Sequence, residues 1–163
     1  MRPLLLGFLV EVHEHCKLQQ ETIHLAVNFL DRYMSEIVVP KRYYQLVGMV
    51  CLWLAAKYED GPNNAMKSRL LYRLCSKSYN KKVFAMMEKH VLKTLKWDLS
   101  HPTAEVFLQR ESKDEHTTTK HVAQFLLELS LFYPCFISCG SSTISSSCLY
   151  LARHILGLSQ EVL

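Results

Sequence analysis

The sequence predicts an all-α fold, and three of its features carry that expectation. The run from Tyr43 to Ala56, YYQLVGMVCLWLAA, is uncharged and apolar on every side of a helix, and a helix of that kind must be surrounded by others. The segments on either side of it repeat apolar residues at three- and four-residue spacing, the mark of amphipathic helices. Only five Gly and five Pro punctuate the 163 residues, and no long run alternates apolar with polar residues as a half-buried strand would. With 49% hydrophobic and 21% charged residues, the chain can bury a core as one compact domain or two small ones.

The first helix is expected from Met1 to Cys16, with Pro3 suited to its first turn. Leu5, Leu9, Val12 and Cys16 make its core stripe; Met1, Leu4, Phe8 and Glu11 lie on the next face, either the wide edge of the core or a shallow groove. A second helix, about 20 to 36, carries Ile23, Val27, Leu30, Met34 and Ile37, with Asp31 and Arg32 interrupting the apolar surroundings. Pro40 precedes the central helix. A membrane span needs about 20 apolar residues, whereas Lys41 and Arg42 before this run and Lys57, Glu59 and Asp60 after it close it sooner, so it is a core helix. The breaker run Glu59 to Asn64 leads to a short fourth helix holding Leu70, Leu71, Leu74 and Cys75. Ser78 and Asn80 are candidate caps for a fifth, which carries Phe84, Met87, Val91, Leu92 and Leu95 to Trp97. His101-Pro102-Thr103 is the best linker. Beyond it, helices are expected at about 103–111, 118–133 and 142–156, the last capped by the cluster Ser141 to Thr143.

Several function classes find no support. The net charge of +4 is mild and scattered, which does not indicate nucleic acid. Most cysteines sit inside apolar stripes as small hydrophobes, and Cys135, Cys139 and Cys148 lack zinc-knuckle spacing, so no metal is expected. His13 and His15 are two apart, point in different directions, and are expected at the surface. The opening MRPLLLGFLVEVHEH is followed at once by acidic residues and has no small-residue cleavage site, unlike a signal peptide. No nucleophile motif or glycine-rich phosphate loop is present. The expectation is an intracellular protein, free of membrane and cofactor, that is not an enzyme.

Longer strings carry a family resemblance. MRPLLLGFLVEVHEHCKLQQETIHLAVNFLDRY resembles the opening of the cyclin box, with its Met-Arg-x-x-Leu start and ETxxLAVNxxDR pattern, and YQLVGMVCLWLAAKYED resembles the third helix of that box. MEKHVLKTLKWDLSHPT is similar to the fifth helix and the linker, and FLLELSL to the core of a second box; KRYYQLVG and HPTAEVFLQ are closest to fungal G1 cyclins. The resemblance implies a cyclin fold: a five-helix N-terminal box over residues 1–98, then a partial C-terminal box over 99–163 with about three helices. Gly7 and Phe8 replace the usual acidic residue and Trp, and the loop after Asp60 is longer than in mitotic cyclins and lacks their paired prolines. Both departures fit a G1-type cyclin. Relative to the full fold, the chain reads as a fragment or an abbreviated protein.

The resemblance alone implies a function and its residues. The chain is expected to bind and activate a cyclin-dependent kinase in the nucleus and cytoplasm, at G1/S, and to help select substrates. Lys57 and Glu88 match the residues that hold the kinase's regulatory helix; Met1, Leu4, Phe8, Glu11, Tyr44 and Gln45 match the patch that docks short substrate motifs; Arg2 and Asp31 match a structural pair. Residue chemistry by itself reads Lys57 as a snorkelling cation at a helix end and Glu88 as a carboxylate on the solvated edge of its helix, and leaves Leu4 and Phe8 open between core packing and a docking patch. The rival reading is a transcription-type cyclin-box module that binds DNA or the transcription machinery.

Overall fold

The computed structural model describes residues 1–59, 73–74 and 79–158. Among these it is all helical, with α1 (Arg2–Cys16), α2 (Gln20–Glu36), a single 3-10 turn (Lys41–Tyr43), α3 (Tyr44–Glu59), α4 (Lys81–Thr94), α5 (Ala104–Glu111), α6 (Thr117–Leu131), a second 3-10 turn (Pro134–Phe136) and α7 (Ser141–Ile155). The chain divides into two compact units, Met1–His101 and the part beginning at Pro102. α4 is the helix expected fifth; the expected fourth helix, apart from Arg73 and Leu74, and the candidate cap Ser78 lie outside the described residues.

In the first unit α3 packs against α1, α2 and α4. Ten of its residues from Leu46 to Ala56 are buried, as an uncharged helix apolar on all sides requires. Gly48 lets α1 approach closely, since a Cβ there would stand 2.9 Å from Leu5 Cδ1 and 3.3 Å from Leu9 Cδ1. α2 is buried over a wider arc than its apolar stripe predicts, taking in Thr22, His24, Ala26 and Tyr33, because it contacts both α1 and α3.

The joint between α1 and α2 overturns one expectation. Lys17 takes the left-handed conformation at φ 51°, Leu18 N donates to His13 O at 3.2 Å, and His13 Nε2 lies 2.8 Å from Gln19 O. His13 is therefore buried, not a surface residue, because the sharp turn folds the chain back over it; His15 is exposed as expected. The neighbouring His24 is also buried, and burial, reinforced by His13, lowers its pKa to about 4.

Asn80 caps α4 by accepting from Lys82 N at 3.0 Å. At the other end of α4, Lys96 and Trp97 both take positive φ, 55° and 62°, and Arg32 holds the chain beyond them by donating to Asp98 O at 2.9 Å.

The second unit is a three-helix packing of α5, α6 and α7 around Leu108, Ala123, Leu127, Leu149 and Ala152. Thr103 caps α5, and the buried Glu105 accepts from Gln124 Nε2 at 3.1 Å. The Ser141 to Thr143 cluster does not cap α7. Its helix starts at Ser141 with Gly140 in the cap position and no side-chain cap bond, so these hydroxyls already lie within the first turn. The hydroxyls that matter come later, where Ser145 and Ser146 donate to Glu111.

Among the described residues no helix is long and apolar enough to cross a membrane. No group of three His, Cys, Asp or Glu side chains among them is placed to hold a metal.

Candidate partner-binding surface

The surface is built at the C-terminal end of α3, where Trp53 and Lys57 stand one turn apart and share a face. α4 brings Phe84 and Glu88 up against them with the same four-residue spacing. Lys57 Nζ donates to Glu88 Oε1 at 2.5 Å, Trp53 Nε1 donates to the same oxygen at 3.2 Å, and the Lys57 ammonium sits 4.7 Å above the Trp53 ring. Phe84 meets Trp53 edge-on, with centroids 6.1 Å apart and the planes at 79°. The ammonium thus finds a carboxylate on one side and a π face on another, while the side chain remains 47% exposed against 21% for Glu88.

That geometry gives each charge a partner within its own chain, which neither helix's residue pattern indicates by itself. The two residues satisfy each other because α3 and α4 pack side by side. Sequence reasoning also missed Trp53, which was read only as part of an apolar helix. Its signal was the spacing to Lys57, which places an indole under an ammonium whenever the helix forms.

The structure also brings Arg2 and Asp31 together. The guanidinium engages the carboxylate in a fork, with NH2 donating to Oδ2 at 2.9 Å and NH1 donating to Oδ1. Both side chains are largely buried, at 19% and 17% exposure, and the pair ties the start of α1 to the end of α2. Asp31 acts on the core as well: burial, with this carboxylate's charge adding to it, pushes the Cys51 thiol pKa up.

Met1 and Leu4 are 55% and 76% exposed, Glu11 and Gln45 are exposed, and Phe8 and Tyr44 are half-buried. Met1 caps α1, Leu4, Phe8 and Glu11 lie on it, and Tyr44 and Gln45 start α3; the two helices are in direct contact, whereas Leu5 and Leu9 turn inward. The face that periodicity left open is therefore an accessible apolar strip.

Residues 1–100 match the family described as "Cyclin, N-terminal domain" and residues 102–162 match "Cyclin, C-terminal domain". The chain belongs to the cyclin family. Among curated relatives, this cyclin is 37% identical over 179 residues to a G1/S-specific cyclin of Candida albicans, covering 96% of the chain and 26% of that relative. It is 43% identical over 108 residues to a second G1/S-specific cyclin of that organism, covering 66% and 23%, and 36% identical over 160 residues to a G2/mitotic-specific cyclin-B of Emericella nidulans, covering 96% and 33%. The chain thus spans between about a quarter and a third of the length of these relatives. Its fold is like that of a viral cyclin from herpesvirus saimiri, with TM-score 0.81 at 21% identity over 98% of this chain and 72% of that one. A chain of the yeast RNA Pol II CTD kinase complex has TM-score 0.77 at 16% identity over 99% and 56%.

Proposed function

We propose that this cyclin binds and activates a cyclin-dependent kinase through the surface where Lys57 and Glu88 meet. The observation that carries the proposal is the pair itself: two charges from separate helices, held by each other and by Trp53, with the Trp53 and Phe84 rings against them and Tyr58 exposed next to Lys57. Apolar side chains around a pre-oriented ion pair suit a helix whose end offers backbone groups, because an ammonium with hydrogens to spare and a carboxylate with a second oxygen can serve a carbonyl and an N–H at once. The kinase supplies the chemistry. This chain supplies differential affinity: by binding only the inward position of the kinase's regulatory helix, it shifts the population toward the state in which the αC Glu pairs with the β3 Lys.

The substrate-selecting role is assigned to Met1, Leu4, Phe8, Glu11, Tyr44 and Gln45, whose exposed apolar strip is of a kind that binds short peptides. The fungal G1/S relatives support a G1/S role, exercised with the kinase in the nucleus and cytoplasm. Pull-down from extract followed by a histone-type kinase assay tests the reading. A co-purifying kinase whose activity rises with added chain supports it; no kinase captured, or capture without activation, removes it.

A further inference from the structure

α4 has a second exposed face that the kinase reading leaves unused. Lys82, Lys89 and Lys93 are all exposed, and at about 100° per residue they fall within about 40° of one another around the helix. Lys96, also exposed, follows just past its C-terminal end, and Met86, 72% exposed, lies beside the stripe about 40° from Lys82. From Lys82 to Lys93 the stripe runs about 16 Å at 1.5 Å per residue. Among the described residues none of these four ammonium groups forms an ion pair. Glu88, the single acid on α4, is engaged by Lys57 and Trp53 and points about 100° away from Lys89. The helix's own energetics account for Lys93, a cation in the last turn, but not for Lys82, since the first turn holds Lys81 and Lys82 and no acid, where cations oppose the macrodipole.

We propose that this face of α4 docks an acidic peptide segment of a partner protein, with Met86 seated against an apolar side chain of that segment. Charge complementarity selects the occupant. The stripe is one helix wide and its charges are lysines only, point charges that attract any anion without the arginine forks that read phosphate bidentately. A bare Met in its middle matches an amphipathic peptide and not a phosphate backbone. An extended peptide advancing about 3.3 Å per residue covers the stripe with five or six residues.

The test uses the full chain and a fluorescein-labelled octapeptide of alternating Glu and Leu, followed by anisotropy at graded salt. Binding that weakens with salt, falls at least tenfold in K89E/K93E, falls several-fold in M86A and is unchanged in R110E on α5 supports the proposal. K82Q/K96Q, which changes no buried group, supplies a second variant, and melting curves establish that each one folds. Unchanged binding in both lysine variants overturns the proposal. So does a single-stranded DNA of equal charge binding more tightly than the peptide and losing affinity in the same variants. Neither arm contains a kinase, so its outcome is separable from the fate of the Lys57 and Glu88 assignment.

Discussion

Lys57 and Glu88 lie 31 residues apart in sequence and meet at 2.5 Å, with Trp53 donating to the same carboxylate oxygen. Hydrogen bonds to charged groups contribute about 1.5 to 3 kcal/mol, so losing either residue's bonds to a kinase should weaken binding by roughly tenfold to a hundredfold. The intramolecular pair is half-exposed on the Lys57 side, and exposed pairs contribute about 0 to 1 kcal/mol to stability. Lys57→Ala and Glu88→Ala are each expected to fold, melt close to the parent, fail to activate kinase at parental concentrations, and bind substrate peptides unchanged. Titration of kinase alongside melting curves checks this; full activation by both variants removes the assignment.

Arg2 and Asp31 should be coupled. Removing one member of a largely buried fork strands the other, so Arg2→Ala is expected to cost about 1 to 3 kcal/mol more in the parent than in an Asp31→Ala background. Denaturant unfolding of the four proteins measures the difference. Equal losses in both backgrounds would show the two residues to be independent.

Acid should destabilise the first unit through His24. An unfolded His titrates near 6.5, while burial and His13 hold the folded group at about 4. Between those values the unfolded chain binds more protons, so stability falls as pH drops from 6.5 toward 4 and this contribution levels off below. The full loss is about 3 kcal/mol. His24→Asn should flatten that part of the stability profile, and a slope identical to the parent's would count against it.

Gly48 should resist enlargement. A branched side chain there would drive into Leu5 and Leu9, and overpacking costs about 1 to 3 kcal/mol. Gly48→Val is expected to lower stability by that amount and to weaken peptide docking on α1, since α1 would have to move. Peptide affinity measured on protein shown to be folded checks the second effect.

Amide exchange should be faster in α6 and α7 than in α2 and α3. Phe125, Tyr150 and Ile155 are more than half exposed, while α2 and α3 keep most of their apolar groups inside, so local opening uncovers less new surface in the second unit. Uniform protection across these four helices would refute the expectation.

The helical class, the bounds of α2 and the burial of α3 were legible in the order of residues, because apolar periodicity and the absence of charge report directly on which faces must avoid water. So, through long motif strings, was the family, whereas periodicity left the Leu4 and Phe8 face of α1 undecided between core edge and groove. Local chemistry did not reach His13, whose burial depends on how the chain turns after Lys17, or the start of α7, where several hydroxyls competed for one cap. That Lys57 and Glu88 are each other's partners over Trp53 emerged only once the helices were packed. A pair formed across two helices depends on their packing distance and rotation, and those are set by the whole core and not by the residues on either helix.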